Sequence, residues 1–416
     1  MGLSSKNIYV YADWVEMQEP ILMGCLNVQY VRGKEIFSFE FDADWLTKKS
    51  PLILDPDLQH FPGRQYMESG SGLFGIFLDS SPDRWGRQLI RRREAIRARE
   101  QNRPAHKLSE VDYLLSVHDE TRMGALRFKL NKTENFLNQD NELTAPPWTS
   151  LRELEEACRH YEEDESDSAR KKWLSMLIAP GSSLGGARPK ANISDNTGSL
   201  WIAKFPSKSD THNIGAWEMV TYELARNIGM RLPECRLEKF SKYGNTFLSK
   251  RFDRNQTKRI HFASAMTLLG KSDGDNYNTG CSYLDIAQFI VRQGARPNQD
   301  LEELWKRIVF SIAVSNTDDH LRNHGFLLTP QGWVLSPAYD INPNPDGTGL
   351  ALNISMEDNT LDFDLALSVA PQFRLSERQA VTELKNIQSV TRNWKSIASK
   401  LKIPPREIDN MSSAFS

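Results

Sequence analysis

The amino-acid sequence predicts an α+β fold, on the evidence of two contrasting patterns. Strand-like runs dominate residues 8–45: Ile8–Tyr11 is continuously β-branched or aromatic, and apolar residues alternate with polar ones over Phe37–Phe41. After residue 260, apolar residues recur instead with helical spacing. The 416 residues, of which 39% are hydrophobic, are enough for two or three hydrophobic cores.

Composition and charge narrow the class of protein only slightly. A net charge of −2 gives no general reason to expect binding to nucleic acid or membrane. No segment approaches the ~20 apolar residues of a membrane span, and residues 1–14 lack the basic and apolar regions of a secretion signal. The cysteines form no CxxC pair, which argues against a zinc site and a disulfide framework; they are Cys25, Cys158, Cys235 and Cys281. We therefore expect a cytoplasmic protein without a membrane partner.

Two segments before residue 151 have a distinctive composition. Residues 82–103 follow a helical pattern and are rich in arginine, with Arg84, Arg87, Arg91, Arg92, Arg93, Arg97 and Arg99. A solvated helix face is the simpler interpretation of this charge, and a docking surface for an acidic partner or DNA phosphate is the alternative. Residues 131–150 are polar and contain Pro146-Pro147, so this stretch cannot continue a helix and predicts a linker.

A buried helix is predicted to lead into the most informative motif of the chain. Its apolar residues have helical spacing and are Leu301, Leu304, Trp305, Ile308, Val309 and Ile312. We expect the helix to run to Asn316. The sequence from Asn316 to Asn323 then reads Asn-Thr-Asp-Asp-His-Leu-Arg-Asn.

A hairpin is predicted directly after this loop. The strand-like runs 325–328 and 332–335 are separated by three residues that include a proline. Two antiparallel strands return the chain to the end from which it started. The hairpin would therefore place Asp340 beside Asp318 and Asn323.

The spacing Asp-x4-Asn, followed by a second Asp, is typical of the phosphoryl-transfer loop of a kinase. In that chemistry Asp318 orients the substrate hydroxyl group and accepts its proton, while Asn323 and Asp340 coordinate Mg²⁺ at the ATP phosphates. Each of the three residues alone is more often structural, because Asp and Asn commonly cap turns. Their combined spacing favours catalysis.

A lysine on a predicted strand is a second candidate for nucleotide binding. The run Leu200–Phe205 is similar to the Val-Ala-Ile-Lys strand of protein kinases, and Lys204 shares a strand face with Ile202. A buried ammonium group needs anionic partners, which ATP phosphates and a helix glutamate would supply. The first candidate glutamate is Glu218, and Glu223 is the second. The alternative is an edge-strand lysine that reaches solvent.

A loop rich in glycine and other small residues, 179–191, precedes this strand. Its glycines would let backbone amides approach an anion closely, although the loop matches neither the Walker A motif nor GxGxxG. A flexible turn is an equally good interpretation of its composition. Two residues near the acidic motif stay open: we expect His320 to brace the backbone, and Tyr339 to pack against the nucleotide or within the core.

Taken together, these motifs resemble the HipA family of bacterial serine/threonine kinases, the toxin halves of toxin–antitoxin pairs. The resemblance covers Phe37–Asp42, Pro82–Arg87, Met123–Phe128, Gly181–Lys190, Ser249–Arg254, Asp318–Asn323 and Leu335–Asp340. Any one of these segments would be a weak signal, whereas the set is specific and extends over most of the chain up to Asp340.

The resemblance implies a two-lobed protein-kinase-like fold with an extra β-rich N-terminal subdomain and an all-helical C-terminal lobe. Residues 1–145 would form the HipA-like N-terminal subdomain, 146–258 the ATP-binding lobe with the glycine-rich loop and lysine strand, and 259–416 the helical catalytic lobe. The implied cofactors are ATP and Mg²⁺. The implied ATP contacts are Gly185, Gly186, Ala187, Arg188, Pro189, Lys190, Lys204, the hinge residues Lys250, Arg251 and Phe252, and also His320, Leu321, Arg322, Asn323, Tyr339 and Asp340.

Regulation is also implied by the resemblance. In HipA-like proteins a serine before the glycines can be autophosphorylated, which inactivates the kinase by displacing the loop. Ser183 aligns best with that serine, and Ser182 is adjacent. The chain differs from better-known members at Arg188-Pro189, where they have Gln-Glu, and at Lys250, where they have glutamate.

The implied substrate is a serine or threonine of a translation component, such as an aminoacyl-tRNA synthetase. The implied partner is a small helix-turn-helix antitoxin, through which alone DNA would be bound. A nucleotide-sensing corepressor with vestigial kinase activity is the alternative function. A small-molecule kinase, which would use the same loop, is a third.

Overall fold

The N-terminal strands form an antiparallel sheet, in agreement with the alternating pattern of the sequence. The computed structural model describes residues 5–31, 34–47, 52–67, 72–138, 145–163, 167–181 and 186–415. The strands are β1 (Ser5–Ala12), β2 (Ile21–Val31), β3 (Lys34–Phe41), β4 (Arg64–Gln65) and β5 (Leu126–Lys129). Their order is β4-β3-β2-β1-β5. Ile8, Val10 and Ala12 of β1 are fully buried and alternate with partly exposed residues, so one face of the sheet covers a core.

Helices and a hairpin complete the described part of the first half of the chain, and the first four helices lie in sequence between strands β3 and β5. The helices are α1 (Ala43–Leu46), α2 (Gly75–Leu78), α3 (Arg84–Glu100), α4 (Glu110–Ser116), α5 (Leu151–Glu162) and α6 (Asp167–Gly181). The hairpin consists of β6 (Lys190–Ser194) and β7 (Leu200–Lys204). The strand predicted around Lys204 is therefore confirmed.

Helix α3 confirms the arginine-rich helix that the sequence predicts. At least two of its arginines have partners inside the protein. Arg87 forms a bidentate pair with Glu110, with both N–O distances at 2.7 Å, and the guanidinium of Arg92 lies 5.1 Å from the centre of the Tyr161 ring. The charge of this helix is thus used partly in packing rather than only on a solvated face.

The remainder of the chain is mainly helical. Its helices are α7 (Ile214–Asn227), α8 (Ala265–Leu268), α9 (Tyr283–Gln293), α10 (Pro297–Ala313), α11 (Phe363–Ser368), α12 (Glu377–Thr391), α13 (Trp394–Lys400) and α14 (Pro405–Asn410). Short strands interrupt them: β8 (Cys235–Glu238), β9 (Thr246–Lys250), β10 (Arg254–Asn255), β11 (Lys258–Arg259), β12 (Phe262–Ser264), β13 (Gly325–Thr329) and β14 (Gly332–Leu335). None of the described helices combines the length and apolar character needed to cross a bilayer.

Helix α10 is buried, as its spacing predicts, and the six apolar residues named for it are at most 1% exposed. It ends at Ala313, three residues before the predicted end at Asn316. Ser315 has a positive φ of 47°, and a residue in this left-handed conformation cannot continue a right-handed helix. The chain therefore turns before the acidic motif begins.

The predicted hairpin after the acidic motif is confirmed. Strands β13 and β14 pair antiparallel, from Phe326 opposite Leu335 to Thr329 opposite Gly332. Gly332 has a φ of 133°, which glycine adopts without strain. The N–H of Ser336 donates to the carbonyl of Gly325 at 2.8 Å, so the chain leaves the hairpin beside the point where it entered.

The chain divides into two compact units. The first comprises Met1–Lys208 and Asp253–Ala263, and the second comprises Ser209–Phe252 and Ser264–Ser416. The predicted α+β class is confirmed, because sheets and helices are both present. The three-part division at residues 145 and 258 stays a prediction.

A buried carboxylate on α10 is expected to contribute strongly to the stability of the second unit. Asp300 is fully buried, pairs with Arg231 at 2.6 Å and accepts the N–H of Leu335 at 3.1 Å. Replacing Asp300 by Ala leaves both donors without this acceptor and should lower the free energy of unfolding by about 3–5 kcal/mol. Urea denaturation measures this change. The exposed neighbour Glu302, replaced by Gln, serves as the control, with an expected change within about 0.5 kcal/mol; equal effects of the two substitutions would contradict the assignment.

Candidate functional site

Within the second unit, the acidic motif forms a short, internally hydrogen-bonded loop. The side-chain amide of Asn323 donates to the carbonyl of Asp318 at 2.9 Å, and the N–H of His320 donates to the same carbonyl at 2.9 Å. A 3₁₀ turn over Leu321–Asn323 closes the loop. Asp318 is exposed, whereas Asn323 is buried. The loop thus presents the Asp318 side chain towards solvent from a backbone that Asn323 holds.

The segment after the hairpin lies against this loop. The Tyr339 hydroxyl donates to the carbonyl of Arg322 at 2.5 Å, and the N–H of Asn342 donates to the side-chain oxygen of Asn316 at 3.2 Å. Asp340 lies between these two contacts and has a φ of 58°, a left-handed conformation that glycine adopts freely and that, among other residues, asparagine and aspartate adopt most often. The structure therefore brings the Asp340 segment alongside the motif that carries Asp318 and Asn323.

Helix α7 also holds the Asp340 segment. The fully buried hydroxyl of Thr221 donates to the carbonyl of Ile341 at 2.6 Å. The sequence does not predict a role for Thr221, Asn316 or Asn342, because single polar residues in a helix or a turn carry no pattern that predicts long-range contacts. Their hydrogen bonds nevertheless hold Ile341 and Asn342, the two residues that follow Asp340.

A network of buried side chains stabilises the acidic motif, and it consists of Asp319, Tyr283 and His324. Asp319 is 6% exposed, accepts the Tyr283 hydroxyl at 2.7 Å and lies 3.2 Å from Nε2 of His324. Burial alone opposes ionisation of Asp319, but the electrostatic attraction of nearby His324 and the hydrogen bond from Tyr283 outweigh it and lower its pKa. Burial and the Asp319 carboxylate raise the pKa of Tyr283 well above its usual value, so this hydroxyl stays a donor. His324 is therefore the histidine that lies beside the buried Asp319 carboxylate, and the sequence did not predict this role for it.

The oxygen atoms of Asn323 and Asp340 suit a hard cation. Because the Asn323 amide nitrogen is bonded to the Asp318 carbonyl, its Oδ1 is the atom left for a ligand, and it makes no hydrogen bond within the described part of the chain. One carboxylate oxygen of Asp340 accepts the Asn342 side-chain amide at 3.3 Å. An amide oxygen and a carboxylate form a donor set that fits Mg²⁺, which usually keeps several waters and few protein ligands.

The predicted nucleotide loop lies in the first unit, where Gly186–Lys190 is described. Gly186 has a φ of 77°, and a Cβ added there would lie 2.6 Å from the Lys190 ammonium nitrogen. Lys190 is 7% exposed and stands directly opposite Lys204 on the neighbouring strand. Arg188 donates to the carbonyl of Phe205 at 3.1 Å. The loop therefore brings a close-lying glycine backbone and cationic side chains together.

The predicted hinge residues and the partner of Lys204 lie in the second unit. Lys250 ends strand β9, and its N–H donates to the carbonyl of Glu234 at 2.8 Å. The Phe252 ring packs against Tyr339 with centroids 5.5 Å apart. Glu218 is buried in helix α7. Its pairing with Lys204 stays a prediction, as do the hinge contacts of Lys250, Arg251 and Phe252 with a nucleotide.

Other predicted site residues can be placed only in part. Ser182, Ser183 and Gly185 lie outside the described residues. Ala187 and Pro189 belong to the described end of the glycine-rich loop, and the Pro189 carbonyl accepts the N–H of Phe205 at 3.0 Å.

Comparison with known proteins identifies the family. The family model described as "HipA-like C-terminal domain" matches residues 182–395, about half of the chain. The chain belongs to the HipA family. The solved HipA of Shewanella oneidensis MR-1, in a complex with HipB and operator DNA, superposes with a TM-score of 0.66 at 17% sequence identity, over 98% of this chain and 94% of that chain. The HipA-type fold predicted from the motifs is therefore confirmed.

The curated relatives match only part of this HipA-family chain, and the matched segments cover only part of the relatives. Y4dM of Sinorhizobium fredii is 26% identical over 239 residues, which are 52% of this chain and 57% of that protein. The "Serine/threonine-protein kinase toxin HipA" of Shewanella oneidensis is 24% identical over 187 residues, 39% of this chain and 43% of that protein. The chain thus spans about half the length of the curated relatives it matches.

The Asp319 network predicts a specific dependence of stability on pH. Because the pKa of Asp319 is lower in the folded protein than in the unfolded chain, its ionised form stabilises the fold fully above pH ~4–5, and this contribution is lost as the pH falls through the lowered value. Replacing Asp319 by Asn should cost about 1–3 kcal/mol at pH 7 and less at pH 3. Urea denaturation at both pH values measures the difference. Tyr283→Phe keeps the carboxylate and should retain most of the pH dependence; an Asp319→Asn variant with the parent's full acid dependence would contradict the assignment.

Proposed function

We propose that this HipA-family protein is an ATP-dependent protein serine/threonine kinase that acts as the toxin of a toxin–antitoxin pair. The observation that carries the proposal is the hydrogen-bonded arrangement in which the Tyr339–Asn342 segment lies against the loop of Asp318 and Asn323. A carboxylate open to solvent beside two hard oxygen ligands suits phosphoryl transfer. The relative named a serine/threonine-protein kinase toxin supports the same activity.

In this proposal Asp318 handles the proton of the substrate. The hydroxyl oxygen of a serine or threonine forms a bond to the γ-phosphorus of ATP, and the bond from that phosphorus to the β–γ bridging oxygen breaks. ADP leaves with the electron pair of that bond, and the hydroxyl proton passes to the Asp318 carboxylate. Asp318 suits this role because it is exposed while its backbone carbonyl is held by Asn323.

Asn323 and Asp340 would hold the metal ion. Bound Mg²⁺ would neutralise part of the negative charge of the ATP phosphates. Asn323 contributes its Oδ1 atom, and its amide nitrogen keeps this oxygen oriented through the Asp318 carbonyl. Asp340 contributes a carboxylate oxygen, and Tyr339 and Thr221 hold the backbone on either side of it.

The nucleotide would be bound by residues from several parts of the sequence. We propose that Gly185, Gly186, Ala187, Arg188, Pro189 and Lys190 cover the phosphates, that Lys204, with Glu218 as its partner, contacts them, and that Lys250, Arg251, Phe252 and the 320–323 loop contact the rest of the nucleotide. The cross-strand pair Lys190 and Lys204 supports the phosphate assignment, since it concentrates positive charge on one strand face.

The partners follow from relatives and are part of the proposal. The Shewanella HipA complex contains HipB and operator DNA. We propose by analogy a small helix-turn-helix antitoxin for this protein, with DNA bound through it. The proposed substrate is a serine or threonine of a translation component.

Replacing Asp318 by Asn tests the kinase activity. The side chain keeps its shape but loses the carboxylate that accepts the proton, so phosphoryl transfer should fall roughly 10²–10⁴-fold. The measurement is transfer of labelled γ-phosphate from ATP to proteins of a host lysate, with fluorescence titration of nucleotide binding alongside. The exposed Asp409, replaced by Asn, serves as the control and should keep full activity.

Three results of that experiment would contradict the proposal. Undiminished transfer by the Asp318→Asn variant would remove Asp318 from its role. Nucleotide binding by the parent without labelling of any protein or metabolite would favour a nucleotide-sensing corepressor. Labelling of small metabolites in place of proteins would favour a small-molecule kinase.

Autophosphorylation at Ser183, with Ser182 as the adjacent alternative, is proposed as the regulation of the kinase. A phosphate adds roughly −1.5 to −2 charges at pH 7, which would repel the ATP phosphates and favour displacement of the loop. Incubation with Mg-ATP should therefore inactivate the parent progressively, whereas Ser183→Ala should stay active. Residual activity over time and mass spectrometry of the loop peptide measure this, with Ser182→Ala as the control. Inactivation of Ser183→Ala at the parent's rate would assign the effect to another residue.

A further inference from the structure

The N-terminal part of helix α3 and its cap contact the glycine-rich loop at both of its described ends. Where the loop begins, a Cβ on Gly181 would lie 2.8 Å from a Leu89 methyl carbon and 3.1 Å from the Trp85 indole nitrogen. Where it continues, the N–H of Gly186 donates to the Asp83 carboxylate at 2.8 Å. Both anchor points of the loop therefore rest on the start of one helix, more than 90 residues earlier in the chain.

Asp83 has two hydrogen-bonding tasks at this position. Its Oδ1 atom accepts the N–H of Arg84 at 2.8 Å and so caps helix α3, and its Oδ2 atom accepts the N–H of Gly186. A hydrogen bond to a charged acceptor is stronger than one between neutral groups. The carboxylate thus links the start of a helix to the loop.

Trp85 adds two more bonds to the same loop. Its backbone N–H donates to the carbonyl of Gly186 at 3.0 Å, and its indole N–H donates to the carbonyl of Lys190 at 2.9 Å. The indole is 1% exposed and packs edge-on against Tyr161 with ring centroids 5.5 Å apart. A rigid, buried side chain therefore holds Lys190, while both backbone groups of Gly186 are occupied by the helix start.

We infer that Asp83 and Trp85 are positioning residues that hold residues 186–190 in the conformation that binds nucleotide phosphate, an inference that rests on the proposed kinase function. Ordering a loop residue costs backbone entropy, so a loop that is held in advance binds its ligand more tightly. Gly186 acts as the anchor of the loop, and its N–H is directed to Asp83 rather than to a phosphate. The side chains of Lys190 and Lys204 then contribute to the phosphate contacts in place of that N–H.

The anchoring is tested first without nucleotide. Asp83→Asn keeps one oxygen and can still cap the helix, but it loses the second carboxylate oxygen and the charge. Trp85→Phe keeps a buried ring and loses the indole donor. Asp42 also caps a helix, because its side chain accepts the N–H of Asp44, so Asp42→Asn is the matched control. Hydrogen exchange should be roughly tenfold faster or more in peptides covering 186–190 for Asp83→Asn, with the control equal to the parent. Exchange at the parent's rate in both loop variants would overturn the inference.

The consequence for binding is tested with a fluorescent ATP analogue and Mg²⁺. Asp83→Asn should raise the Kd for the analogue about tenfold and raise KM for ATP by a similar factor. Its kcat should stay within about twofold of the parent's, because the chemistry at Asp318 is unchanged. Unchanged or tighter binding would overturn the positioning role. A parent protein that binds no nucleotide would refute the proposed function and the affinity effect with it, whereas the exchange experiment would still decide whether Asp83 anchors the loop.

Discussion

The hydrogen bonds between the Tyr339–Asn342 segment and the loop before the hairpin are the constraint on which the site depends. The hairpin returns the chain, and the bonds from Tyr339 to Arg322 and from Asn342 to Asn316 then fix where Asp340 lies. Asp340 has a left-handed backbone, which costs of order 1 kcal/mol or more and persists only where neighbours determine it fully. Because residues on either side hold this backbone, the carboxylate can be used for a ligand.

Adjacent carboxylates in this motif have opposite environments. Asp319 is buried, and Tyr283, Ser311 and His324 lie within 2.7–3.4 Å of its carboxylate oxygens. Asp318 is exposed, and its backbone carbonyl is engaged by Asn323. This difference would separate two tasks under the proposed function, because the buried carboxylate fixes the loop while the exposed carboxylate would exchange a proton with substrate. Two aspartates of identical chemistry are thus distinguished by burial.

The parts of the fold that were predictable are those with local patterns. A continuous β-branched and aromatic run predicted β1, and alternation predicted β3. Helical spacing predicted α10, a proline-containing turn predicted the β13–β14 hairpin, and the Asp-x4-Asn spacing singled out the acidic loop. The early end of α10 was missed because a left-handed Ser315 has no sequence signal. The Tyr283 and Asp83 contacts were missed because they join residues 36 and 103 positions apart, and the residues alone do not reveal such pairs.

The two lysines that face each other across β6 and β7 give a physical reason for anchoring the glycine-rich loop by its backbone. Lys190 and Lys204 stand opposite each other on β6 and β7, and like charges in this position destabilise a sheet. An anionic ligand would offset that repulsion, and it would stabilise the folded protein by an amount that rises with the logarithm of the ligand concentration divided by Kd. A loop that used its own Gly186 amide for the phosphate would have to reorganise on binding, since Asp83 already accepts that N–H. If the Lys190 and Lys204 side chains supply the positive charge, the Gly186 backbone can stay hydrogen-bonded to Asp83 at the start of α3, and no such reorganisation is needed.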